Sequence, residues 1–308
     1  MGKVAVLGIF VADCTFRADR APVMGETVLG HGFALGPGGK GSNQAVAAAR
    51  AGADVRFITK LGADAFAEMA ETIWRDAGVQ PEILVDPESY TGAASIFIEK
   101  ATGNNAIIVS PGAAALLSPD DIAAKRHAIT SADVFLTQLE QPIDAALAAL
   151  RVAREAGVRT ILNPAPAADL PDDALALSDV LTPNESEAEA LTGVSVTSVE
   201  SAKKAAQILV AQGAKSAIIT LGEQGAFYLD AQDDGVHVPA ITAGKVIETT
   251  GAGDAFNGGF ATAWANGATA PEALRFATAT AAISVTRPGA AASMPTKDEI
   301  ELLLQTAG

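Results

Sequence analysis

A single cysteine in 308 residues, Cys14, leaves no partner for an internal disulfide, and so sparing a use of thiols fits a reducing, cytoplasmic setting. Basic residues are also scarce. Lys and Arg number 21 against 36 Asp and Glu, for a net charge of −15. No block of Lys or Arg offers a basic face, so nucleic acid is not an expected partner. No apolar run reaches the roughly 18 residues that a membrane span needs. The apolar opening MGKVAVLGIF meets Asp13 too soon for a full signal-peptide pattern, and no membrane association is expected. Histidine is limited to His31, His127 and His237, widely separated, and neither H-E-x-x-H nor G-x-S-x-G occurs. Zinc-hydrolase and serine-hydrolase chemistry therefore find no support.

What is present is apolar mass in a regular rhythm. Hydrophobic residues make up 49% of the chain, enough for a sizeable core. Residues 4–10 (VAVLGIF), 56–61, 133–139, 158–162 and 216–221 are short apolar runs that read as buried strands. Between them lie helical patterns. In DAFAEMAETIWRDAG, Phe66, Met69, Ile73 and Ala77 share one face and Gly78 ends the segment; PIDAALAALRVAREAG repeats the plan up to Gly157. Alternating strands and helices predict an α/β fold: a doubly wound, mostly parallel sheet with helices on both faces. Two segments break the rhythm, 11–35 and 92–111, the latter a hairpin pattern turning at Gly103. They are expected to form a small β-sheet lid inserted in one α/β domain spanning 1–308.

Ligands of such sheets gather beyond the carboxyl ends of the strands, where Glu140, Asn163, Asn184 and the Leu221-Gly222 pair follow their apolar runs. Two glycine clusters add helix entries. GPGGKGSNQ spells G-x-G-x-x-G from Gly36, but not after the first strand, and Lys40 is followed by Gly41 rather than the Ser or Thr of a phosphate loop. What remains is a close-approach helix start carrying Gly38, Gly39, Lys40 and Asn43, able to grip a hydroxylated molecule. In ETTGAGDAFNGGF, the N–H groups of Ala252 and Gly253 would face an anion, with Asp254 beside them as a proton acceptor. The bland alternative is that Asp254 merely caps its helix.

Taken in order, these stretches become specific. PGGKGSNQAVAAARAGADVRFITKLGAD and ETTGAGDAFNGGF resemble the two signatures of the phosphofructokinase-B (ribokinase-like) family of sugar kinases. Between them, TPNESEAEAL carries the family's N-x-x-E element as Asn184 and Glu187, and TLGEQG is similar to its nucleotide-binding turn. GETV, NQAVAAA, QLE, LNPAPA and VTRPGA look most like the ribokinase branch. The resemblance implies transfer of the γ-phosphoryl of ATP to a primary hydroxyl of a small sugar, ribose first. A kinase for a nucleoside or another sugar is the alternative, and a sensing binder without catalysis a more distant one.

It also implies residue roles. Asp254 would be the general base, and Gly251, Ala252 and Gly253 the anion hole. Asp13, Gly38, Gly39, Lys40, Asn43 and Glu140 would hold sugar hydroxyls, with Val11 beside them. Asn184 and Glu187 would organise Mg²⁺ through water. Thr220, Leu221, Gly222, Glu223, Gln224, Gly225 and Thr278, with Gly253, would border the nucleotide. Glu248, Thr250, Ser284, Arg287, Gly289 and Ser293 would surround K⁺, mostly through main-chain carbonyls, and the lid would pair two chains as a homodimer. Three positions depart from the ribokinase pattern: Val11 stands where Asn is usual, Glu248 where Asp is usual, and Thr278 where His is common.

Overall fold

The first strand, β1 (Lys3–Leu7), alternates its apolar residues between two separate cores: Val4 and Val6 pack into one, Ala5 and Leu7 into the other. A strand buried on both faces belongs in the middle of a sheet with helices above and below. The structure, a computed structural model, describes residues 1–171, 174–232 and 235–307. In it β1 lies between β4 (Asp54–Leu61) and β8 (Val134–Thr137), parallel to both. Beyond β4 the sheet ends at β5 (Gln80–Val85). Beyond β8 it continues through β9 (Arg159–Leu162), β10 (Val180–Leu181), β11 (Ser216–Thr220), β12 (Ala226–Asp230) and β13 (Val236–Val238). Among the described residues, the pairings β11–β12 and β12–β13 are antiparallel and the rest of this sheet is parallel.

The helices divide by face. The core containing Val4 and Val6 is covered by α1 (Lys40–Arg50), α2 (Ala65–Ala77), α8 (Ala252–Ala265) and α9 (Ala270–Ser284), with Trp74 meeting Phe10 and Phe57 edge-on. The opposite core is covered by α3 (Pro119–Ala124), α4 (Arg126–Thr130), α5 (Ile143–Glu155), α6 (Glu185–Thr192) and α7 (Val199–Ala211). α10 (Lys297–Thr306) seals a smaller cluster against α9 through Ile300 and Ile283. The doubly wound architecture expected from the strand–helix rhythm is therefore present. Among the described residues, no helix is long and apolar enough to cross a membrane.

A second sheet of four strands stands apart from the first, in the order β3 (Gly32–Gly38), β2 (Val11–Ala18), β6 (Thr91–Glu99), β7 (Asn105–Gly112). The two rhythm-breaking segments supply it, and the β6–β7 hairpin turns at Gly103, whose φ is +76°. One expectation shifts. The apolar run 4–10 is not one strand, because the chain leaves the large sheet after Leu7 and joins the small sheet at Val11. Ile9 and Phe10 stay buried through the crossing, so the hydrophobic pattern does not mark the change of sheet. The parallel strands β1, β8, β9, β10 and β11 end on one edge of the sheet, and the start of α1 meets it there, bonded to Glu140 after β8 and to Asp254 at the start of α8.

Candidate active site

Asp254 does not cap its helix. The N-cap of α8 is Gly251, in the left-handed region at φ +79°, and among the described residues no side chain caps the helix. A side chain at Gly251 would also press on Ala290, whose Cβ lies 2.9 Å from the position a β-carbon would take. Asp254 sits in the first turn, and its carboxylate reaches across to α1. Oδ2 accepts from Asn43 Nδ2 and Oδ1 from Gln44 Nε2, each at 3.0 Å. The carboxylate is thus buried between two helix starts. Burial raises its pKa, while the Lys40 charge and the donors Gln44 and Asn43 lower it.

Above Asp254 the first turn of α8 is open. A β-carbon at Gly253 would meet nothing within 4 Å. The Ala252 N–H donates to the Thr249 carbonyl at 3.1 Å, whereas among the described residues no main-chain oxygen accepts from Gly253. An uncapped helix start with a free N–H and an exposed glycine is suited to an anion.

The neighbouring cleft is rich in acceptors. The Lys40 N–H donates to Glu140 Oε2 at 2.7 Å, tying α1 to the loop after β8. Asp13 on β2 lies so close to β3 that a β-carbon at Gly38 would stand 2.4 Å from both its carboxylate oxygens and push them aside. Burial pushes Asp13 up to about 6. Burial also raises Glu140 to about 7; the Lys40 N–H and charge oppose it, and Asp254 and Asp13 add to it. Three carboxylates and one ammonium therefore crowd a cleft that offers hydrogen-bond acceptors to a polyhydroxylated guest. One wall differs. Ile9, Val11 and Ala114 form a small buried apolar cluster of their own.

Asn184 and Glu187 turn out to be a capping box. Asn184 Oδ1 accepts from the Glu187 N–H, and Glu187 Oε2 accepts from the Asn184 N–H, both at 2.9 Å. Burial raises Glu187 as well; the Asn184 N–H and the Lys40 charge oppose it, and Asp254 and Glu185 add to it. After β11, Leu221 donates to the Gly225 carbonyl at 2.8 Å, closing a tight turn over Gly222–Gln224. Gln224 reaches away to the Thr197 carbonyl, and Glu223 is exposed. The Thr220 N–H bonds Pro183, and Thr278 is buried with no partner for its hydroxyl among the described residues.

In the remaining group, Glu248 Oε2 accepts from the Gly289 N–H at 3.1 Å. Ser284 and Ser293 donate their hydroxyls to Ala281 and Ala290, and Arg287 pairs with Glu299. The Arg287 guanidinium is thereby engaged, whereas both serine oxygens, Glu248 and the main-chain carbonyls keep lone pairs; Thr250 is exposed. Among the described residues no trio of His, Cys, Asp or Glu is placed to hold a metal.

Sequence reasoning missed the support beneath Asp254. Gln44, Gln138, Thr182 and Asn257 are all buried and joined by hydrogen bonds. Gln44 follows the motif residue Asn43 directly, and that adjacency was the available signal.

The sequence pattern of the "pfkB family carbohydrate kinase" group matches residues 1–297. The chain is 39% identical over 305 residues to a ribokinase of Haemophilus influenzae, covering 99% of each. It is 35% identical over 298 residues to a deoxyribokinase of Salmonella typhi, covering 96% of each. Its fold matches the structure of Arabidopsis thaliana ribokinase complexed with ribose and ATP, with a TM-score of 0.94, 30% identity and 99% of each chain covered. With the pattern spanning nearly its whole length, the chain belongs to the pfkB family of carbohydrate kinases.

Proposed function

We propose that this carbohydrate kinase transfers the γ-phosphoryl of ATP to the 5-hydroxyl of ribose. The observation that carries the reading is the Asp254 carboxylate, buried below an uncapped helix start and held by Asn43 and Gln44. Asp254 takes the proton of the acceptor hydroxyl as it becomes a nucleophile. The first turn of α8, from Gly251 to Gly253, faces the charge that develops on the transferred group, with the Gly253 N–H the free donor. Asp13, Gly38, Gly39, Lys40, Asn43 and Glu140 orient the sugar.

ATP supplies the phosphoryl group, and Mg²⁺ neutralises its charge. Glu187, buried and fixed by Asn184, fits a role in ordering the waters of that ion. The turn from Thr220 to Gly225 and the unpartnered Thr278 hydroxyl border the nucleotide. Glu248 and the carbonyls near Ser284, Gly289 and Ser293 suit K⁺, a weak-field ion content with neutral oxygens. The small sheet closes as a lid and pairs two chains. Phe16, Phe33 and Ile108, all exposed on it, support that pairing. The single cysteine agrees with a cytoplasmic location.

A second acceptor is favoured by one feature. Val11 gives the cleft an apolar wall, which suits a deoxypentose. ADP release screened over pentoses, deoxypentoses, hexoses and nucleosides tests the proposal. Ribose or deoxyribose should lead, and activity confined to nucleosides or hexoses would overturn it.

A further inference from the structure

Below Asp254 lies a chain of amide groups whose direction is set at one end by a backbone oxygen. The Thr182 carbonyl can only accept, and Asn163 Nδ2 donates to it at 3.0 Å. Asn163 must then turn Oδ1 toward Gln44, which answers with Nε2 at 3.0 Å. The same Gln44 nitrogen donates its other hydrogen to Asp254 Oδ1. Gln44 Oε1 therefore points away and accepts from Gln138 Nε2 at 2.6 Å. Each orientation forces the next, and reversing any one would set two oxygens or two N–H groups against each other. Room for this arrangement is cut into the backbone. A β-carbon at Gly8 or Gly41 would come within 2.5 or 2.9 Å of Gln138 Oε1.

The two oxygens of Asp254 are consequently unlike. Oδ1 is held by a locked donor. Oδ2 is held by Asn43, whose own Oδ1 has no partner among the described residues, so no second hydrogen bond fixes that amide. Thr182 also steadies the helix start above. Its hydroxyl donates to Asn257 Oδ1 at 2.6 Å, and Asn257 Nδ2 donates to the Gly253 carbonyl at 2.9 Å.

We propose that Gln44 is a positioning residue for phosphoryl transfer: locked by the Thr182–Asn163 and Gln138 contacts, it occupies Asp254 Oδ1 and leaves Oδ2 as the atom that receives the acceptor's proton. The proposal rests on the reading of Asp254 as the base. Proton transfer to Oδ2 weakens its bond from Asn43, which no second contact fixes, while Oδ1 keeps the Gln44 bond. Other charges facing Asp254 are Lys40 from α1, Glu140 from the loop after β8 and Glu187 from α6, and none of them changes when Gln44 is replaced.

The test compares Gln44→Met, Gln138→Met and Asp254→Asn, with the best acceptor of the screen above, as pH profiles of kcat and as KM for ATP. Gln44→Met should lower kcat by about ten- to a hundredfold, the range for losing one hydrogen bond to a charged group. Its KM for ATP should stay within about threefold of wild type. The acid limb of kcat should move up by about one pH unit, because the ionised carboxylate has lost a donor. Gln138→Met frees the Gln44 amide to turn and should move the same limb in the same direction with less loss of rate. An unshifted limb in both variants, with Asp254→Asn inactive, overturns this inference and leaves the base intact. Wild-type turnover in Asp254→Asn removes the base itself. Should Gln44→Met fail to fold, Gln138→Met decides, and an unshifted limb there is equally fatal.

Discussion

The main-chain N–H of Lys40 and the carboxylate of Glu140 meet at 2.7 Å, 100 residues apart in sequence, at the point where α1 begins and β8 has just ended. This bond ties the start of α1 to the large sheet. It does not compensate Glu140 fully, since burial still raises that carboxyl to about 7. A carboxylate raised in the fold binds a proton there that it would release when unfolded. Its stabilising contribution is present at low pH and is lost as pH climbs from its ordinary range, about 4.5, through about 7. Asp13, raised to about 6, acts in the same direction.

Without ligands, the protein should therefore melt at a lower temperature at pH 8 than at pH 5.5. Glu140→Gln should flatten that slope and raise the pH 8 melting temperature while weakening sugar binding. Thermal melts of both proteins across this range check it. An identical slope in Glu140→Gln would mean that another group governs the decline.

The second prediction concerns the base. In Asp254→Asn one position remains an oxygen and can accept from the locked Gln44. The new NH₂ would face Asn43, whose free Oδ1 can rotate to receive it. The fold should survive, and turnover should fall by roughly 10²–10⁴. Calorimetric sugar binding alongside kcat separates this outcome from unfolding. Because Gly251 caps α8, a helix-capping role for Asp254 offers no competing explanation of lost turnover.

Much of this architecture was legible. The alternation of apolar runs and amphipathic helices gave the parallel sheet, and the two segments that broke it gave the small sheet. What escaped has physical causes. The switch between sheets after Leu7 leaves no trace, because both sides of it are buried. β10 spans only Val180 and Leu181, too short for periodicity, so only its end was read, from the polar Asn184 that follows. Gln44 and Gln138 stand in polar stretches, S-N-Q and T-Q-L-E-Q, where nothing local singles them out, and their meaning lies in partners 94 and 210 residues away in sequence. Asn184 and Glu187 were visible as a motif, but the spacing that identified them is also that of a capping box. Local chemistry and ligand chemistry coincide there.

The third prediction concerns the monovalent cation. Glu248 already accepts from Gly289 and thereby ties the loop ahead of α8 to the segment after α9. A cation among the nearby carbonyls would order the same loop and with it the Gly251–Gly253 turn. Replacing sodium with potassium at constant Mg²⁺ should raise kcat by roughly fivefold or more, the lower end of ordinary effector coupling. Glu248→Ala should erase the difference between the two ions. Equal rates in sodium and potassium for the unaltered protein would count against a cation role for this loop.

The last prediction turns on Val11. Successive residues of a strand face opposite sides, so Val11 and Asp13 of β2 share one face of the small sheet. Asp13 offers a carboxylate, and Val11, packed with Ile9 and Ala114, offers only carbon. A hydroxyl set against that wall gives up its water without gaining a partner, at a cost of about 1–3 kcal/mol. By the usual relation, that lowers kcat/KM by roughly ten- to a hundredfold relative to an acceptor lacking the hydroxyl. Deoxyribose should therefore be handled unusually well beside ribose. Val11→Asn should shift the ratio of their kcat/KM values toward ribose by about tenfold or more, because the amide restores a partner. The two sugars measured in both proteins decide the matter. If the substitution leaves the ratio unchanged while the protein stays folded, the hydroxyl that distinguishes the sugars lies elsewhere, and the apolar wall has no part in selecting the acceptor.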